Sequence, residues 1–362
     1  MIAHADRRYM ARALELAEQG LYTTTPNPRV GCVIVRDVDI VGEGWHERAG
    51  AAHAEVNALR AAGTKAEGAT VFVTLEPCAH HGRTPPCAQA LIEARVERVV
   101  AAMRDPNPLV AGKGLDAIRA GGIAVECGLM ENEARELNVG FVSRMTRGLP
   151  WIRMKIAASL DGKTALFNGS SQWITGPEAR ADGHRWRARA CAIMTGVGTV
   201  KDDDPQLTVR EVGTPRQPAR IVIDSHAETP SSARVLGKGT IVAAAVHDNR
   251  SGALSATGAE VVVIPNPAGK VDLPALMREL ARREMNEVHV EAGYRLNGSL
   301  LREGLVDELL VYLAPRILGD AARGMFHLPE LRDLSESLEL DVRDVRMIGR
   351  DLRVIARVRR PG

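Results

Sequence analysis

Apolar side chains recur at Met10, Ala13, Leu14 and Ala17, the spacing of one helix face. Asp6 is placed to cap this first helix and Gly20 to end it. TTTPNPRVG at 23–31 is turn chemistry, and GCVIV (31–35) with DIVGEGW (39–45) reads as a hairpin of two strands. HAEVNALRAAG (53–63) predicts a helix ending at Gly63, and ATVFVTLEP (69–77) a short apolar strand stopped by Pro77. CAQALIEARV (87–96) predicts a helix, RVVAAM (98–103) a strand, residues 112–122 a helix and IAVECG (123–128) a strand. Strands alternating with helices predict an α/β layered domain.

TRGLP at 146–150 is short and polar with Gly and Pro, the composition of a domain boundary. A second alternation follows. WIRMKIAASL, CAIMTGV, ARIVIDS, TIVAAAV, VVVIP, NEVHVEAG and DELLVYLAP read as strands, and GPEARADGHRWRARA and LPALMRELARRE as helices. No period of 20–50 residues repeats, so a solenoid is not expected.

Length and charge narrow the picture. A chain of 362 residues makes two or three domains at about 100–200 residues each. Residues 1–148 carry 17 Lys+Arg against 18 Asp+Glu, and residues 149–362 carry 30 against 27. Neither half has the basic excess of a nucleic-acid-binding domain, and at 3% aromatic residues few rings are available for base stacking. The five cysteines, Cys32, Cys78, Cys87, Cys127 and Cys191, are too sparse for a secreted disulfide scaffold. MIAHADRRYM contains no apolar h-region, and no run approaches the 18 or so apolar residues of a membrane span. These features lead to the expectation of a cytoplasmic protein.

The sharpest chemical signal runs from His53-Ala54-Glu55 through Pro77-Cys78 to Pro86-Cys87. One imidazole and two thiolates are three ligands of zinc type, which leaves the fourth position for water. A glutamate two residues from the histidine fits proton transfer at such a site, the pattern of zinc deaminases. An H-A-E tripeptide alone is ordinary at a helix start, and two cysteines alone can be core thiols. Their combination in this order points to a metal site, with His53, Cys78 and Cys87 as ligands and Glu55 as the proton shuttle. Cys32, Cys127 and Cys191 read as inert core residues. The deaminase signature ends in C-x-x-C, whereas eight residues separate Cys78 from Cys87.

That long spacing, in TLEPCAHHGRTPPC behind HAE, resembles the deaminase half of the bifunctional pyrimidine deaminase/reductase family of riboflavin biosynthesis. TPNPRVG, GWHERAG and DPNP match the family in the first half; MKIAASLDGKTA, SQWITG, TVKDDDPQLTVR, IVID and VEAG match it in the second. The resemblance covers nearly the whole chain. It implies a cytidine-deaminase-like three-layer α/β/α domain at 1–147 and a dihydrofolate-reductase-like α/β domain at 148–362. It further implies one zinc ion per chain, NADPH, a small phosphorylated pyrimidine substrate, no nucleic-acid or membrane partner, and a homo-oligomer. The implied reactions are hydrolysis of a ring amino group with release of ammonia, then reduction of the ribosyl group to a ribityl chain.

Matched position by position, the resemblance implies substrate contacts at Asn27, His46, His80, Asp105 and Asn107, and at Arg83 where some relatives carry Lys. In the second half it implies substrate contacts at Lys155, Ser171, Arg187, Leu207, Arg210 and Glu291. Cofactor contacts fall at Ala157, Trp173, Thr199, Asp203 and Ser225, and at Gly293, Tyr294, Arg295, Leu296, Asn297, Gly298 and Ser299. The residues themselves say less here. GVG at 196–198 follows a strand but lacks the third glycine of a dinucleotide loop, since position 201 is Lys. Asp202–Asp204 is open between a solvated loop and a helix cap, and Trp173 and Trp186, taken alone, fit core positions. Lys155 and Asp203 are the candidates for a proton donor to the reduced group. Two competing readings are a nucleic-acid base deaminase with an appended ligand-binding domain, and a zinc module whose metal serves folding only.

Overall fold

The computed structural model describes residues 4–79, 86–108 and 110–359. The chain divides into two compact units, Met1–Leu149 and Pro150–Gly362.

Unit 1 begins with α1 (His4–Glu18), β1 (Gly31–Arg36), β2 (Asp39–Trp45) and α2 (Ala54–Ala62). It continues with β3 (Thr70–Val73), α3 (Cys87–Glu93), β4 (Arg98–Ala101), α4 (Lys113–Ala120), β5 (Ala124–Cys127), α5 (Glu131–Leu137) and α6 (Val139–Arg147). Its sheet has the order β2-β1-β3-β4-β5, with β1 antiparallel to both β2 and β3, and β3, β4 and β5 parallel. Cys32 pairs with Gly44 and Gly31 with Trp45, so Gly31 and Gly44 face opposite sides of the sheet. A Cβ on Gly44 would lie 2.5 Å from the Ala58 amide of α2, whereas one on Gly31 would lie 1.9 Å from the Ala13 carbonyl of α1. The two helices therefore cover opposite faces and make three layers, the arrangement expected from the sequence. Close approach at Gly44 seats the start of α2 directly on the sheet.

The sequence-derived bounds shift in physically clear ways. Asp6 does not cap α1. The helix starts earlier, and the Asp6 carboxylate sits in its first turn and accepts from Arg98 Nη2 at 2.8 Å. β3 stops at Val73 rather than Pro77, because the chain is then drawn out of the sheet by Glu76. That buried carboxylate accepts four backbone N–H groups, from Asp105 and Gly112 on Oε2 and from Gly114 and Leu115 on Oε1. Cys127 is exposed, since it ends the edge strand β5, while Cys32 is buried and Cys191 partly buried.

Unit 2 contains β6 (Trp151–Ser159), β7 (Lys163–Ala165), α7 (Pro177–Arg189), β8 (Ala192–Gly196), α8 (Val197–Asp203), β9 (Ala219–Ile223), β10 (Thr240–Ala244), α9 (Asn249–Ala256) and β11 (Glu260–Val263). After these come α10 (Leu273–Arg282), β12 (Glu287–Val290), α11 (Tyr294–Arg302), β13 (Glu308–Ala314), β14 (Arg323–Gly324), β15 (Leu340–Ile348) and β16 (Asp351–Val358). Nine strands form one sheet, β11-β10-β9-β8-β12-β6-β13-β16-β15, parallel from β11 to β13 and antiparallel beyond. β7 and β14 make a separate pair. In such a sheet ligands gather at the carboxyl ends of the parallel strands.

The run Asp202–Asp204 is the end of α8 with Asp204 as its left-handed cap, at φ 40°. α7 presents polar groups to the sheet. Its Asp182 accepts from Tyr312 Oη and Arg353 Nη1, and its Arg189 donates to Glu287 at 2.7 Å. Arg153, fully buried on β6, reaches Glu287 and Glu308 and lies over the Trp186 ring at 4.4 Å. Trp186 thus packs within a layer of paired charges, whereas Trp173 is 63% exposed.

Candidate active sites in the two units

Three elements of unit 1 converge on the metal-type ligands. His53 is the N-cap of α2, in an extended conformation, and its side chain does not cap the helix. Cys78 lies in the loop after β3, and Cys87 is the first residue of α3. His53 Nδ1 is 3.2 Å from Cys87 Sγ and 3.6 Å from Cys78 Sγ, and all three ligand atoms lie within 4.8 Å of one another. The Cys87 amide donates to Cys78 Sγ at 3.3 Å. Hydrogen bonds from the Cys87 thiol and from His53 pull the Cys78 thiol well below its ordinary range. An imidazole and two sulfurs fit a zinc ion by donor chemistry.

Glu55, in the first turn of α2, is 3% exposed, and burial raises its pKa. His46 lies across from the ligands, its ring at 5.4 Å from that of His53 and edge-on to it. Asn27 Nδ2 donates to His46 Nε2 at 3.1 Å, which assigns the proton to Nδ1, and Nδ1 donates to the Ala52 carbonyl at 3.1 Å. Burial lowers the His46 pKa, in keeping with this neutral form. Asp105 and Asn107 share one turn, in which Asp105 Oδ1 accepts from the Asn107 amide at 2.8 Å. Glu76 fastens that turn to the cysteine loop. Glu76 lies within TLEPC, whose spacing marks the cysteine and not the carboxylate. His80 and Arg83 lie outside the described residues.

In unit 2, Val290 of β12 pairs with Met154 of β6, which brings Glu291 and Lys155 level. Glu291 is held by Arg187 of α7, whose Nη2 donates at 2.9 Å, with Lys155 Nζ at 3.8 Å and His289 Nε2 at 3.3 Å. Burial works against the Glu291 charge, but Arg187 and Lys155 outweigh it and keep the carboxyl well below its ordinary range. Burial lowers Lys155, against the pull of Glu291. Asp203 is raised by burial and then by Asp202, and its carboxylate is hydrogen-bonded by Gln172 and Ser171.

A cavity of about 710 Å³ opens over this cluster. Its lining includes Lys155, Ser171, Arg187, Leu207, Arg210 and Glu291, together with Ala157, Trp173, Thr199 and Asp203. Gly293, Tyr294 and Asn297 line the adjoining space, where Asn297 Oδ1 is buried without a hydrogen-bond partner. The remaining expected contacts lie outside both linings. Ser225, at the exit of β9, accepts from the Val271 amide at 3.1 Å. Leu296 packs toward Gly196, and Gly298 allows α11 to meet the His327 backbone, which a Cβ would approach to 2.1 Å. Arg295 and Ser299 lie on α11, where Ser299 Oγ donates to the Arg295 carbonyl at 3.1 Å. Among the lining residues that no motif position marks as a contact are two cations: Arg180, stacked 4.7 Å over Trp173, and Arg234.

Known proteins match both units of the chain. Residues 3–103 match the cytidine and deoxycytidylate deaminase zinc-binding region, and residues 150–354 match the RibD C-terminal domain. The chain is 50% identical to the riboflavin biosynthesis protein RibD of Escherichia coli K12 over 361 residues, covering 96% of this chain and 98% of that protein. It is 44% identical to the RibD of Aquifex aeolicus, covering 97% and 98%. The structure of Acinetobacter baumannii RibD superposes with a TM-score of 0.90 at 43% identity, covering 98% of this chain and 99% of that one. A Thermotoga maritima diaminohydroxyphosphoribosylaminopyrimidine deaminase/5-amino-6-(5-phosphoribosylamino)uracil reductase does so at 0.87 with 33% identity, over 98% and 99%.

Proposed function

The chain belongs to the RibD family and is a bifunctional deaminase/reductase of riboflavin biosynthesis, and from that premise we propose how its residues divide the work. Residues 1–147 carry out the zinc-dependent deamination and residues 148–362 the NADPH-dependent reduction. The substrates are those named for the Thermotoga relative. Water replaces a ring amino group of the diaminopyrimidine, and ammonia leaves. A hydride and a proton then open the ribosyl group of the aminouracil to a ribityl chain.

The observation that carries the deaminase reading is Glu55, buried beside a triad that offers one nitrogen and two sulfur ligands. His53, Cys78 and Cys87 would hold one zinc ion. Bound zinc supplies an acidified water near neutral pH. Glu55 takes a proton and returns one to the departing nitrogen, a task suited to a carboxyl whose pKa is raised by burial. Asn27, His46, His80, Arg83, Asp105 and Asn107 hold the substrate. His46 has both ring nitrogens engaged, so it orients Asn27 rather than exchanging protons.

In the second site NADPH supplies the hydride. The orphaned Asn297 Oδ1 and the free first amides of α11 behind Gly293 fit a polar, phosphate-bearing cofactor. Ala157, Trp173, Thr199, Asp203, Ser225 and the stretch Gly293–Ser299 contact it. Lys155, Arg187 and Arg210 face the phosphorylated sugar, with Ser171, Leu207 and Glu291 completing the substrate contacts. Lys155 and Asp203 are the two candidates for the proton donor; burial favours a protonated Asp203.

The protein acts as a cytoplasmic homo-oligomer. No helix among the described residues is long and apolar enough to cross a membrane. The edge strand β15 exposes Leu340, Val342, Val345 and Met347, a surface suited to another protein chain.

Supplying the diaminopyrimidine with and without NADPH, while following ammonia and NADPH, tests the scheme. Ammonia appears without NADPH, and NADPH is consumed only after deamination. Absence of both signals in zinc-replete protein overturns the substrate assignment.

A further inference from the structure

The two matched regions leave the interval 104–149 unassigned, and α5 and α6 lie inside it. Asn138, which joins these helices, is 1% exposed. Its Oδ1 accepts from the Arg29 amide at 2.7 Å, and its Nδ2 donates to the Arg29 carbonyl at 2.9 Å. Arg29 in turn donates through Nη1 to the carbonyl of Leu137, the last residue of α5, at 2.7 Å. A single amide side chain thus satisfies both backbone polar groups of a residue 109 positions away.

Arg29 closes the turn that carries Asn27. Pro28 has no N–H, so Arg29 supplies the first backbone donor after Asn27. On the other side of the turn, Asn27 meets His46 beside the metal ligands. We propose that Asn138 is a positioning residue for deamination: by gripping Arg29 it sets the Asn27 turn at the substrate face of the His53–Cys78–Cys87 cluster. The segment α5–α6 is then a working part of the deaminase site rather than a spacer between two enzymes. This inference rests on the reading of Asn27 as a substrate contact.

The test is a double-mutant cycle in the full-length, zinc-loaded protein, comparing N27A, N138A and N27A/N138A with the parent. N138A is expected to raise the deaminase KM about tenfold, the scale of a lost pair of buried hydrogen bonds, with a much smaller change in kcat. Zinc content and reduction of the deaminated substrate stay at parental values. In the N27A background, N138A adds no further rise in KM. N138D, which keeps the acceptor for the Arg29 amide and loses the donor to its carbonyl, falls between, and it serves as the probe if N138A does not fold. An unchanged KM in N138A or N138D beside a raised KM in N27A overturns the clamp. Equal effects of N138A in both backgrounds, or loss of zinc, also overturn it in favour of a general structural role. A parental KM in N27A itself removes the reading of Asn27, and the inference with it.

Discussion

The two sites handle charge in opposite ways. In unit 1 the cluster gathers two sulfurs and an imidazole, and one thiol ionises readily, so the site awaits a cation. In unit 2 five cations, Lys155, Arg180, Arg187, Arg210 and Arg234, line the cavity against three carboxylates, Asp203, Asp204 and Glu291, the last already matched by Arg187 and Lys155. That leaves a positive surplus, which awaits an anion. The first site is therefore suited to a metal, the second to phosphorylated ligands. Their failure modes should differ accordingly: loss of a proton carrier or metal in one, loss of a counter-charge in the other.

Glu55→Gln gives the largest expected effect, because it removes the proton carrier and leaves the ligands. Deamination should fall by about 10²–10⁴-fold, while zinc content and reduction of the deaminated substrate persist. Full ammonia release by this variant would remove Glu55 from the chemistry. Next comes Glu291→Gln, which leaves two cations facing each other in a buried setting. Breaking a buried pair costs about 3–5 kcal/mol, and Glu291 sits near the cavity wall, so a loss toward the lower end is expected in chemical denaturation of unit 2. Reductase KM should rise while deamination is untouched.

Acid titration sharpens the same contrast. The folded pKa of Glu291 lies well below 4.5, so between the two values the unfolded chain binds more protons than the folded one. The stability that this group contributes is complete above about pH 4.5 and is lost as pH falls through the folded value. The denaturation midpoint of unit 2 should therefore decline below pH 4.5 in the parent and less so in Glu291→Gln. On the alkaline side, burial brings Lys155 below 10.5, and reductase kcat/KM should fall earlier than a free lysine would dictate. Lys155→Arg should abolish that limb, since arginine stays charged. The smallest effect is expected from Arg180→Ala, which removes a half-exposed stack over Trp173 worth about 0.5–1 kcal/mol. A two- to five-fold rise in a reductase KM, measured with each ligand in turn, would match it.

The difference between the sites also explains how much of each was legible. The metal triad spans a short stretch, and Pro-Cys pairs and a helix start are local features that spacing can read. The helices α5 and α9 left little trace, because each buries few residues: only Ala134 in α5, and Ser251 and Leu254 in α9. The strands β15 and β16 alternate in polarity, but the extra residue at Arg343 shifts the period, and the apolar face of β15 is exposed. α7 reads as a helix, yet its buried face mixes Ala179, Gly183 and Ala188 with Asp182 and His184, so no apolar stripe foretells that it lies on the sheet.

The amino-acid sequence by itself determined the α/β alternation, the ligand triad with its glutamate, and the family. These rest on short-range spacing and on chemistry that few residue types can supply. Only the tertiary structure decided that Lys155, Arg187 and Glu291 form one ion cluster, that Glu76 ties the Asp105 turn to the cysteine loop, and that Asn138 grips Arg29. Each of these is a polar contact between distant segments. Its energy depends on desolvation and on a matched partner, and neither exists until the chain has folded.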